Sequence, residues 1–269
     1  MLASQSLSHL SQLMLCPSCG ELLRFANGKR VCCALPDGAT IEDNIIRYHS
    51  SICHPEMVAR DRQASGYLQH SKFPTQIARM RRFIICLPRA SRPVLDLGCG
   101  PGPTTEMLTQ RGFEVLAVDF SRQSLELNRA KSALFVQADL RDIRFVKDSV
   151  DGLMMADFLQ HIGSPQVQAK FLQGVFRALV SGGWFFLSCF NINLKHLVGR
   201  DIEGSFADGQ IRYHRSTSSQ ILDILPATVR VKTIRPMNVF HRPIPDRLVS
   251  RLPLSWLFAR MIVVSGHKL

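Results

Sequence analysis

The 269-residue sequence contains no apolar run long enough to cross a bilayer; its nearest approach, Leu252 to Val264, is too short and carries Arg260. The first fifteen residues are polar and rich in Ser and Gln, unlike a secretory leader, so a cytoplasmic location is expected. Two motifs are also incomplete. The glycine turn at Gly98 and Gly100 has Pro103 where a dinucleotide fingerprint needs its third glycine, which excludes that reading. The C-x-x-C at Cys16 and Cys19 has no second C-x-x-C to complete a zinc ribbon.

Acids are scarce, at 21 Asp and Glu against 33 Lys and Arg, and the net charge is +12. The imbalance is local. Residues 1–53 are neutral and 93–194 carry −1, whereas 54–92 carry +6 and 195–269 carry +7. A central segment of ordinary charge between two basic ones favours an anionic partner: RNA phosphate, an acidic carrier protein, a phosphorylated metabolite or a membrane surface. A solvated basic face is the plainer reading. Apolar content of 46% and charged content of 20% are globular values.

The chain is organised around Val94-Leu95-Asp96-Leu97-Gly98-Cys99-Gly100-Pro101-Gly102-Pro103. A short apolar run ends in an acid, glycines follow, and a helix-competent stretch begins at Pro103, which suits a first helical turn. That is a strand, a tight turn and a helix, and open parallel sheets bind ligands at such turns. Glu114 to Asp119 is a second strand ending in an acid, about twenty residues on, a spacing that suits a carboxylate for ribose hydroxyls. Phe120-Ser121 opens a helix, and Ala133 to Gln137 is a third strand leading into Ala138-Asp139-Leu140.

Together these resemble motif I, the post-motif and the adenine-contacting segment of class I S-adenosylmethionine (SAM)-dependent methyltransferases, over roughly residues 60–269. The resemblance implies an α/β fold: a Rossmann-like seven-stranded sheet, parallel with one antiparallel strand, flanked by helices, plus a small N-terminal cysteine-containing module. It implies SAM bound by Asp96, Gly98, Gly100, Asp119, Phe120, Asp139 and Leu140. Asp119 would take the ribose, Asp139 the adenine amine, and Asp96 would order the turn or meet the amino group. Val150 to Asp157 resembles the family's fourth strand, and Phe158-Leu159-Gln160-His161-Ile162 resembles the segment where small-molecule methyltransferases carry a histidine. His161 is therefore the catalytic candidate, against a purely structural role. The segment around Gly182-Gly183 resembles the turn into the fifth strand, with Asn191 and Asn193 at its tip as candidate substrate hydrogen-bonders.

Three further segments frame the core. Residues 1–55 resemble the zinc-binding modules that precede some bacterial RNA guanine methyltransferases, with Cys16, Cys19, Cys32 and Cys33 as candidate Zn2+ ligands. The alternative there is a degenerate ribbon with reduced thiols around Ile41, Ile45 and Ile46. Residues 56–92 read as a helical lid or linker, with Tyr67 or Phe73 as candidate cofactor covers. Residues 93–269 read as the methyltransferase domain; Lys195 to Arg215 is a loop-like substrate cover, and an insertion at about 236–259 puts Leu254, Trp256, Leu257 and Phe258 over a substrate, against a membrane or partner, or in the core. The expected acceptor is a small-molecule or lipid-like compound, anionic or carrier-bound. An RNA base, suggested by the cysteines and the basic flanks, is the alternative.

Overall fold

The computed structural model describes residues 9–16, 19–26, 29–30, 40–42, 45–48, 54–70, 74–88, 90–128, 133–199, 201–237 and 254–269. Short strands β1 (Phe25–Ala26), β2 (Lys29–Arg30), β3 (Thr40–Glu42) and β4 (Ile45–Arg47) come first, then helices α1 (Pro55–His70) and α2 (Pro74–Ile85). The alternating half follows: β5 (Val94–Leu97), α3 (Pro103–Gln110), β6 (Val115–Asp119), α4 (Arg122–Asn128), β7 (Leu134–Gln137) and β8 (Val150–Ala156). After a short 3-10 turn come α5 (Pro165–Ala178), β9 (Leu179–Phe190), α6 (Leu194–Gly199), β10 (Glu203–Phe206), β11 (Ile211–His214) and α7 (Ser218–Ile224). The chain ends with β12 (Val229–Met237), α8 (Ser255–Phe258) and β13 (Met261–Lys268).

Among the described residues eleven strands form one sheet in the order β1-β2-β3-β4-β7-β6-β5-β8-β9-β13-β12. Strands β5 to β9 pair parallel with one another, and β13 inserts antiparallel between β9 and β12. The expected seven strands are therefore present, but the count is corrected to eleven. The extra four come from the N-terminal segment, whose β4 pairs parallel with β7, Ile46 opposite Val136. Met14, Leu23 and Tyr48 from this segment are buried in the same core as Leu95 and Val136. The expected loop at 195–215 is instead α6 plus the β10–β11 hairpin.

Both faces of the sheet are covered, as the apolar runs of a parallel sheet require. Alternation by two divides each strand between them. Leu95, Leu97, Leu116 and Val118 meet α5 and α7 on one side through Phe171, Leu172, Phe176 and Ile221. Val94, Val115 and Ala117 meet α2, α3 and α4 on the other through Met80, Ile84, Leu108 and Leu125. Trp256 packs, partly buried, against the first of these clusters. Among the described residues no helix is long and apolar enough to cross a membrane.

Candidate active site

The carboxyl ends of β5, β6 and β8 open into one cavity of about 800 Å3, which α1 and the β10–β11 hairpin also line. Its first half is built by the glycine turn. Gly98 has φ +68°, and a Cβ there would lie 2.5 Å from the Cβ of Phe158. Only glycine supplies that backbone and that clearance. The Asp119 carboxylate ties two turns together, accepting the Gly100 N–H at 2.8 Å through one oxygen and the Ser121 N–H at 2.8 Å through the other. Burial raises its pKa, opposed by these backbone donors and by Arg60.

A second chain of bonds braces the turn from behind. Asn128 Nδ2 donates to the Gly100 carbonyl at 2.9 Å and to Thr105 Oγ1 at 3.2 Å, and Thr105 Oγ1 donates to Asp96 at 2.7 Å. Asp96 is thus turned into the protein, 1% exposed, and is not among the cavity's lining residues. Of its two expected roles, the structure places it where it orders the turn. Gly98, Gly100, Asp119, Phe120, Asp139, Leu140 and His161 do share the one cavity. Asp139 is gripped by the Arg141 guanidinium. Burial by itself would raise this carboxyl, but Arg141 outweighs it and holds the pKa below the ordinary value. Helix α1 closes this half, with Glu56, Arg60, Gln63 and Ala64 on the lining. Its Asp61 accepts from Ser121 Oγ at 2.6 Å and from the Gln123 N–H at 3.0 Å, fastening α1 to the start of α4.

The second half lies past the tip of β8. Asp157 adopts φ +59°, uncommon for a residue with a side chain, and lines the cavity. Ser188 donates its hydroxyl to the Asp157 carboxylate, and Gln160 Nε2 donates to the Asp157 carbonyl at 2.6 Å. Burial pushes the Asp157 pKa up to about 6. Gln160 Oε1 is buried without a hydrogen-bond partner. His161 donates through Nδ1 to the Arg212 carbonyl at 2.9 Å, which leaves Nε2 as an acceptor. Burial, reinforced by Arg60, lowers its pKa to about 3, so it is neutral at physiological pH. Around it stand Phe190, Phe206 and Tyr213, with ring centroids 4.7 Å apart for Phe206–Tyr213 and 5.3 Å for Phe190–Tyr213.

The expectation for Asn191 and Asn193 is corrected here. Asn191 is buried and spends its amide on the Trp256 and Ala259 carbonyls, both at 2.9 Å, and Asn193 accepts from the His196 N–H; neither is among the lining residues. Cys16 is buried and Cys19 exposed on their turn, while Cys32 and Cys33 lie outside the described residues. Among the described residues no three His, Cys, Asp or Glu side chains are grouped to hold a metal. Phe73 likewise lies outside the described residues, and Tyr67 falls within α1. Sequence reasoning missed Arg60, Gln160, Phe190, Phe206 and Tyr213. It also passed over Asp157, whose signal was present, since β8 is one more strand tipped by an acid.

Residues 94–183 match the methyltransferase-domain family. A ubiquinone biosynthesis O-methyltransferase of Paracidovorax citrulli is 24% identical over 176 residues, 60% of this chain and 71% of that protein. A demethylmenaquinone methyltransferase of Clavibacter sepedonicus is 35% identical over 101 residues, 36% of this chain and 40% of that protein. Among solved structures, the Burkholderia thailandensis 1,6-didemethyltoxoflavin-N1-methyltransferase, with 1,6-didemethyltoxoflavin and S-adenosylhomocysteine (SAH) bound, superposes with a TM-score of 0.53 at 20% identity, covering 86% of this chain and 94% of that one. Residues 94–183 thus form a methyltransferase domain, in a chain with the fold of the class I SAM-dependent methyltransferases.

The donor and acceptor set of this methyltransferase suits SAM. Asp119 faces the cavity with acceptor capacity beyond its two backbone bonds. Gly98→Ala is expected to force Phe158 aside and strain the turn, weakening SAH binding by about ten-fold or more and lowering the melting temperature. Calorimetry with SAH and a thermal scan check both.

Proposed function

We propose that this methyltransferase transfers the methyl group of SAM to a hydroxyl of a small aromatic acceptor. The observation that carries the reading is the continuity of the cavity, from the Gly98–Asp119 turn past Asp157 and His161 to the rings of Phe190, Phe206 and Tyr213. In this reading Asp119 takes the ribose hydroxyls, and the Gly98–Gly100 turn lets the backbone approach the methionine part. Leu140 and the Arg141-held Asp139 border the adenine. Asp96, through Thr105, holds the turn in place. When bound, SAM supplies a methyl carbon already activated by its positive sulfur.

The remaining work is alignment, water exclusion and handling one proton. Asp157, poised near neutrality at the tip of β8, takes the acceptor proton as general base. His161, neutral and with its tautomer set by Arg212, accepts a hydrogen bond through Nε2 and orients the acceptor; it is too weak a base to keep the proton. The step balances: the acceptor oxygen gives its proton to Asp157 and gains the methyl, with the C–S bond broken and a neutral thioether left behind.

The RNA alternative gains no support from the two arginines at the cofactor end of the lining. Arg60 is paired with Glu56 at 2.6 Å and Arg141 with Asp139, so neither is a spare phosphate contact. SAH calorimetry, followed by incubation with labelled SAM and separate phenol, lipid and RNA fractions, tests the reading. Label entering the phenol fraction is expected. SAH binding with label entering only RNA would overturn the acceptor, and no SAH binding would overturn the cofactor site.

A further inference from the structure

The charged groups on the cavity wall are nearly all spoken for. Arg60 is bound to Glu56, Arg141 to Asp139, and Asp157 to Ser188. Arg215 stacks over the Tyr213 ring at 4.6 Å, donates to its hydroxyl at 3.1 Å and pairs with Asp201. One charge is left over. Among the described residues the Arg260 guanidinium has neither an ion-pair nor a hydrogen-bond partner, yet Arg260 lines the cavity.

Its place in the fold is specific. Arg260 directly precedes β13, whose first residue, Met261, sits opposite Phe190. The Arg260 carbonyl accepts the Asn191 N–H at 2.9 Å, which fixes its backbone beside the end of β9. The unpaired cation therefore borders the aromatic end of the cavity, whereas the glycine turn lies at the ends of β5 and β6. Arg215 and His196 line the same region. His196 is held below its ordinary pKa first by burial and then by Arg215, with Asp201 opposing and Lys195 and Arg260 adding more weakly.

We propose that the acceptor is a flat aromatic hydroxy compound bearing a carboxylate, its ring among Phe190, Phe206 and Tyr213 and its carboxylate on Arg260. This rests on the reading that the two ends of the cavity serve donor and acceptor. The three rings present faces and edges to a planar guest. The planar guanidinium matches a carboxylate bidentately. A single uncommitted positive charge balances a monoanion, which favours carboxylate over a phosphate dianion. With its carboxylate anchored at the rim, the ring directs its hydroxyl inward to Asp157.

The test uses the full chain saturated with SAH and matched pairs of probes: hydroxybenzoates, hydroxycinnamates and hydroxynaphthoates, each beside its neutral amide. At least one acid is expected to bind about five-fold more tightly than its amide, an advantage that falls below about two-fold in Arg260→Met, while SAH affinity stays unchanged. If SAH binds but no acid outbinds its amide, or if the preference survives Arg260→Met, the proposal is overturned. If SAH itself fails to bind, the underlying reading falls instead.

Discussion

Asp119→Ala is expected to weaken SAH binding by about a hundred-fold or more. The carboxylate does two jobs at once. It holds the Gly100 and Ser121 N–H groups, each at 2.8 Å, and in the proposed complex it also accepts the ribose hydroxyls. Hydrogen bonds to a charged group contribute about 1.5–3 kcal/mol each, and buried donors left without a partner cost more than the bond is worth. Asp119→Asn should fare little better, because its amide would aim a donor at one of those N–H groups. Calorimetry with SAH on wild type and both variants reads the effect. An unchanged dissociation constant would remove Asp119 from the cofactor site.

Asp157→Asn should cut kcat by about 10²–10⁴-fold for a hydroxyl acceptor while leaving SAH affinity intact. The isostere keeps the contact with Ser188 and tolerates the left-handed backbone, so the loss reports the base and not the fold. In wild type the base acts only when ionised. Its rate should climb as pH rises through about 6 and then level off, whereas the variant's residual rate should lack that step. Stability runs the other way. The folded pKa, about 6, lies above the ordinary 3.8, so the folded state holds more protons between those values. The protein accordingly loses stability as pH rises across that window, by ~3 kcal/mol at full ionisation. Asp157→Asn should then melt higher than wild type at pH 8 and about equally at pH 3. An equal melting point at pH 8, or an undiminished kcat, would strip Asp157 of the role.

What could be read in advance follows the range of the interactions. The turn at Gly98 and Gly100 and the spacing to Asp119 were legible because tight turns are written in local residue types. The direction of Asp96 was not, since an acid near a strand end can face a helix or a cleft, and Thr105 decided it. Phe190, Phe206 and Tyr213 escaped notice because the hairpin joining two of them looked polar and loop-like, and their meeting depends on its fold. The pairing of Ile46 with Val136 spans some ninety residues and leaves no periodic trace, which is why four strands went uncounted. Asn191 shows the converse: by sequence a polar residue at a strand tip suggests a ligand contact, but its amide satisfies the Trp256 and Ala259 carbonyls.

Because β4 lies along β7, the margin of the sheet at β7 is, among the described residues, paired and not open to another molecule. Beyond it, among the described residues, the rim tapers to two-residue strands, too brief to template recruitment. The opposite margin, β12, is interrupted by Pro236 and studded with Arg230, Lys232 and Arg235. Both flanks are thus guarded against edge-to-edge aggregation, one by a borrowed strand and the other by charge and a missing donor.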